Sequence, residues 1–130
     1  MRNARIPFVR FARSVSGAVA VEFALLLPVY IAFIFGIMEF GRMIWIRNTM
    51  EFAAETAARY GAVTAGATDA TVAAYADTQL MGVDPALVDF TATVGASTVT
   101  VVGTYNFTTL ISAYVPIPAT TITVRGTFAK

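Results

Sequence analysis

A single carboxylate stands inside an apolar run of membrane length: from Ala18 to Met38 the only charged residue is Glu22. A carboxylate in hydrocarbon is costly unless it reaches water or meets a cation, so such a group is a candidate for function by default. Two roles are open to it. It can snorkel to water near a membrane face, or it can wait for a specific cation on another subunit. Five residues earlier stands Gly17, preceded by Arg2, Arg5, Arg10 and Arg13 and by no acid. A glycine between a basic leader and an apolar run suggests a processing site. Cleavage after Gly17 would make Ala18 the new N-terminus, Glu22 the fifth residue and Phe23 the sixth. That numbering favours the second role for Glu22.

Further along the same run, Pro28 removes one backbone hydrogen bond. It is either a flexible point in the helix or a tolerated membrane proline. Glu39 and Arg42 stand three residues apart where the run ends, as an interfacial ion pair would, and Trp45 follows as an aromatic of the membrane interface.

Other chemistry is excluded by residue type. The 130 residues contain neither Cys nor His, which removes disulfides, thiolate or imidazole metal sites and the commonest general base. After Gly17 the serines are Ser97 and Ser112, with no histidine to activate either. Asp69, Asp77, Asp84 and Asp89 are scattered along the chain as caps, turns and solvated positions. These absences argue against an enzyme and against any metal or cofactor. The leader is followed by a hydrophobic run, so it reads as a membrane-orientation signal, and no nucleic acid is expected as a partner.

Hydrophobic residues make up 57% of the chain and charged residues 13%, against about 25% in an ordinary soluble domain. The 21 residues from Ala18 to Met38 match the roughly 20 needed to cross a hydrocarbon core as a helix. A cleaved secretory signal would be shorter, about 7–15 residues, with small residues at its exit. Here the exit reads Gly36-Ile37-Met38-Glu39-Phe40-Gly41-Arg42, so the segment is expected to be retained. Four leader arginines against Arg42 and Arg47 favour a cytoplasmic N-terminus, with the chain from about residue 40 onward outside.

The helix should not stop at the membrane. Met43, Ile46, Met50, Ala53, Ala57 and Tyr60 recur at spacings of three and four, and Arg47/Glu51 and Glu55/Arg59 carry opposite charges at i, i+4. One helix is predicted from near Ala18 to near Gly61, roughly 65 Å long at 1.5 Å per residue. Gly61 and Gly66 read as its end and a linker. A second helix is predicted over Asp69–Leu80, capped by Thr68 or Asp69, with Val72, Ala73, Ala76 and Leu80 facing inward. The period then changes to two. Strands are predicted at Val88–Val94, Thr98–Phe107 and Thr120–Phe128, with a hairpin turn at Gly95-Ala96-Ser97 and a packed connection over Leu110–Pro118. Phe90, Tyr105, Phe107 and Phe128 are expected in the core. The fold class is therefore α+β: a long N-terminal transmembrane helix, a short helix and a small antiparallel sheet.

The string Gly17-Ala-Val-Ala-Val-Glu22-Phe23-Ala-Leu-Leu-Leu-Pro28, with Phe35-Gly36-Ile-Met-Glu39-Phe40-Gly41-Arg42 and Arg47-Asn48 after it, resembles the TadE-like family. These are minor pseudopilins of the tight-adherence branch of type IV pili. The resemblance covers about residues 13 to 61. It implies cleavage between Gly17 and Ala18 by a prepilin peptidase, and pairing of the freed Ala18 amine with Glu22 of a neighbouring subunit. It further implies other pilin or pseudopilin subunits, an inner-membrane assembly platform and the lipid bilayer as partners, and possible residence in a surface pilus. Ala18 departs from the methylated Phe that many type IV pilins carry at that place.

Four segments follow: a leader over 1–17, a membrane segment over 18–38, its extracytoplasmic continuation over 39–61 and a small α+β head over 62–130. The expected role is initiating, capping or modulating a tight-adherence pilus from the bacterial inner membrane. The alternative is an uncleaved single-pass envelope protein whose head is a binding module.

Overall fold

A computed structural model of the chain describes residues 15–113 and 116–130. The leader arginines fall outside the described residues, as do Tyr114 and Val115 of the expected packed connection. The architecture is α+β, as the change of period implies: helix α1 (Val15–Val63), helix α2 (Asp69–Thr78), then strands β1 (Val88–Val94), β2 (Thr98–Phe107) and β3 (Thr120–Ala129). Two compact units divide the chain, the first ending at Met38 and the second comprising Glu39–Lys130.

Helix α1 runs unbroken through Pro28. Every residue from Gly17 to Met38 is exposed, and the apolar window within α1 is long enough to cross a bilayer, with none of it buried. The character of the helix changes in the second unit. Ile46, Met50, Ala53, Ala54, Ala57 and Ala58 are buried, with Met43 and Tyr60 packed at the margin of the same core. The predicted stripe is therefore present and broader by Ala54 and Ala58, with Thr49 also buried, because a sheet needs a broader helix face than a single seam. The predicted i, i+4 pairs are not closed: Glu39–Arg42 is the ion pair within 4.0 Å among the described residues.

Gly61 does not end α1. It lies buried inside the helix, where a Cβ would stand 2.7 Å from Val72 and 3.0 Å from Val99, so its missing side chain admits α2 and β2. The chain turns later, with Thr64 N–H donating to Tyr60 C=O (3.0 Å) and Gly66 at φ 76°. Thr68 then caps α2 in a reciprocal box with Thr71. The Asp69 carboxylate accepts instead from Val94 N–H (2.7 Å), which fastens α2 to β1. Val72 and Ala76 are buried, Ala73 and Leu80 partly so, and Tyr60 stacks on Tyr75 at 4.2 Å.

The sheet has order β1-β2-β3 and is antiparallel throughout. Val88, Phe90 and Ala92, then Val99, Val101, Tyr105 and Phe107, then Ile122 and Val124 fill its inner face at every second position. The outer face is rich in threonine, including Thr91, Thr93, Thr121 and Thr123. Two expectations change here. Phe128 pairs with Val99 and so shares its inner face, but it sits near the end of an edge strand and stays 42% exposed. In the connection after β2, Leu110–Ala113 forms a 3₁₀ turn, and among its described residues Leu110 is 60% and Ile117 38% exposed, so neither of these two is packed away.

Candidate functional site

The residues singled out in the sequence fall in two places on α1. Gly17, Ala18, Glu22, Phe23 and Pro28 belong to its first unit, and all are exposed. Ala18 and Glu22 are four residues apart, which puts them on one face of the helix, about 6 Å apart at Cβ. Val19, Val21, Phe23, Leu25 and Leu26 surround them, each more than half exposed. A stretch of α-helix with apolar side chains on every side and one acid near its start is suited to lipid or to other apolar helices, not to water. Gly17 lies within the described part of α1, near where that part begins.

Glu39 and Arg42 open the second unit, and their setting is more elaborate than a surface pair. Glu39 Oε2 accepts from Arg42 Nε (3.2 Å) and Nη2 (3.0 Å). Glu39 Oε1 accepts from the Leu110 backbone N–H, and Arg42 Nη2 also donates to the Thr108 carbonyl. The guanidinium lies 4.3 Å from the centroid of the Phe107 ring. The Glu39 side chain is only 11% exposed. Desolvation pushes its pKa up. The Leu110 N–H and Arg42, by hydrogen bond and charge, outweigh this and hold the pKa below the usual value of 4.5. The pair therefore joins α1 to the end of β2. Its two backbone contacts cross 66 and 71 residues, a separation no local pattern in the sequence signals.

Trp45, one turn further along α1, rests on Gly82, where a Cβ would come within 2.6 Å of the indole. It remains 51% exposed.

The remaining chemistry on the head is sparse. An open groove of about 400 Å³ runs between α1 and β3, lined by Phe52, Glu55, Thr56, Arg59, Thr127 and Phe128. Sequence reasoning did not bring these residues together, since the strand that completes the groove lies some 70 residues from the helix. Asp77 has its pKa raised by burial and then by the charge of Asp89. Among the described residues no three His, Cys, Asp or Glu side chains gather where a metal ion could sit.

Residues 17–59 match the family described as TadE-like protein, the same family that the Gly17–Asn48 strings resemble. The match ends within α1, so α2 and the sheet lie beyond it. No curated protein and no solved structure is significantly similar to the chain.

Proposed function

We propose, from the match of residues 17–59 to the TadE-like family, that the chain is a minor pilin-like structural subunit of a tight-adherence pilus. The observation that carries the proposal is the uncovered first unit of α1, apolar apart from Glu22, which stands four residues after Ala18. Before processing, the leader arginines hold the N-terminus in the cytoplasm and the head outside the inner membrane. Prepilin peptidase then cleaves after Gly17. The scissile bond lies in helical backbone, which has to open for the enzyme, and glycine lowers the cost of opening it.

The freed Ala18 ammonium and a Glu22 carboxylate of a neighbouring subunit attract strongly in low dielectric, and either one left unpaired there is expensive. That penalty fixes the axial register of one helix against the next, and Phe23 packs beside the pair. Pro28, lacking one backbone N–H, gives the helix a point at which to adjust as it leaves the bilayer for the filament. The assembly platform of the inner membrane and the other pilin subunits are the partners this role requires. The scarcity of reactive side chains among the described residues of the head suits a structural subunit.

The test is mass spectrometry of the protein isolated from membranes and from sheared pili. A mature chain beginning at Ala18 and present in both fractions is expected. A full-length chain persisting beside an active prepilin peptidase would overturn the processing step and leave an uncleaved single-pass protein.

A further inference from the structure

We infer that the free edge of β3 is a strand-addition site, which takes one extended, acid-bearing segment of another polypeptide as a fourth strand of the sheet. The site lies within the second unit, on β3 and the stretch of α1 beside it. The register fixes which way each backbone group points. Lys130 N–H donates to Ser97 C=O, one step beyond the paired Thr98 and Ala129. In an antiparallel pair, positions bonded to the neighbour alternate with positions turned away from it. Ile122, Val124, Gly126 and Phe128 therefore face β2, whereas Thr121, Thr123, Arg125, Thr127 and Ala129 turn their N–H and C=O groups outward. Among the described residues none bonds to them there.

The opposite edge of the sheet is closed. Gly95 N–H donates to Thr98 C=O, so by the same alternation Val94 N–H points away from β2, where the Asp69 carboxylate of α2 accepts it (2.7 Å). Helix α2 packs along that strand. Strand β3 has neither such a cover nor the usual guards of an edge: its pairing with β2 is unbroken from Thr120 to Ala129, and no proline interrupts it. A row of donors and acceptors at every second residue is satisfied by an extended chain.

The flank of the edge suits the side chains of such a strand. The groove of about 400 Å³ between β3 and Phe52, Glu55, Thr56 and Arg59 lies where every second side chain of an added strand would point. Phe52 and Phe128 remain 47% and 42% exposed there, ready for apolar partners. The alternate side chains would lie on the outer face, beside Arg125. Charge then selects the occupant. Arg59, Arg125 and Lys130 are exposed and closed into no ion pair among the described residues, against Glu55 as the acid of the groove. A second copy fits less well, because two β3 edges paired along their full length would set Arg125 directly opposite its own counterpart.

The test is the binding of a short fluorescent peptide, alternating threonine and valine with a central glutamate, to the full chain in detergent, read by fluorescence anisotropy. A second peptide has lysine for the glutamate. Two more carry N-methyl groups, one on the threonines and glutamate, the other on the valines, so that each lacks the donors of one edge. We expect saturable binding of the first peptide and severalfold weaker binding of the lysine peptide, a preference that Arg125→Glu reverses. One N-methylated peptide should lose roughly tenfold or more in affinity while the other binds as the parent does. Thr123→Pro, which removes an outward N–H and leaves the ladder to β2 intact, should lose binding with its thermal transition retained. Absence of binding, equal affinities for the two N-methylated peptides, or indifference to the glutamate would each overturn the inference. Dimers of the protein that form with rising concentration and exclude the peptide would give the edge to a second copy and overturn it equally.

Discussion

Glycines divide sharply in this chain by what a methyl group would meet. At Gly126 a Cβ would stand 2.4 Å from the backbone carbon of Ala54, so β3 and α1 touch main chain to side-chain-free main chain. Neither backbone can retreat without lifting the sheet from the helix. Gly126→Ala is expected to cost roughly 3 kcal/mol, at the upper end of overpacking penalties. At Gly41, within α1, nothing lies within 4 Å, and Gly41→Ala should stabilise the helix by about 1 kcal/mol. Chemical denaturation of the detergent-solubilised protein measures both, and equal effects at the two positions would contradict the packing described. The close approach at Gly126 was not legible in the sequence, because Ala54 is 72 positions away and a glycine in a strand announces a near neighbour without saying which. The Ala18–Glu22 face was legible, since both residues lie within one helical turn of continuous sequence.

At the scale of elements, local signals were sufficient wherever the deciding interaction is local. Strands β1 and β2 begin and end where alternation begins and ends, and the Thr68–Thr71 box sets the start of α2. Thr68→Ala should destabilise the head by about 1 kcal/mol, read as a lowered denaturation midpoint with unchanged slope. The misplaced elements were decided at a distance. Gly61 looked like a helix stop but serves to admit Val72 and Val99. Phe128 has the right parity for the core yet lies beyond its edge. Glu39 was legible as an ion-pair partner of Arg42, while its bond to Leu110, which joins α1 to the end of β2, was not. That joint makes stability depend on pH with a definite sign. The folded pKa of Glu39 lies below its unfolded value of 4.5, so its contribution is present above that value and lost as pH falls through the folded pKa. Asp77 runs the other way: its folded pKa lies above 3.8, so its contribution is present below 3.8 and lost as pH rises through the folded pKa. Thermal unfolding against pH should therefore show a shallower acid limb for Glu39→Gln and a higher neutral Tm for Asp77→Asn. Parallel curves for wild type and either variant would contradict these assignments.

For the whole molecule the decisive question is whether Glu22 acts within one chain or between chains. After cleavage, Ala18 and Glu22 of the same helix would still be one turn apart, so an ammonium–carboxylate contact could form without any neighbour. Such a contact at the end of a frayed first turn is wet and weakly held, whereas a pair between packed helices is desolvated on both sides. The two cases differ in magnitude. Removing one member of a desolvated pair costs about 3–5 kcal/mol, which at 1.4 kcal/mol per decade is a loss of roughly a hundred- to a few-thousandfold in association. Removing one member of an exposed i, i+4 pair costs about 0.5 kcal/mol, little more than twofold. Glu22→Ala leaves Gly17, the leader and the apolar run untouched, so insertion and cleavage should proceed as in the wild type. We expect the processed variant to accumulate in the membrane and to be lost from isolated pili by a factor in the first range. A Glu22→Gln variant, which keeps the shape and one hydrogen-bond acceptor but not the charge, should fall between the two. Quantitative recovery of Glu22→Ala in pili would place the carboxylate in its own helix, and the register between subunits would then have to come from apolar packing alone.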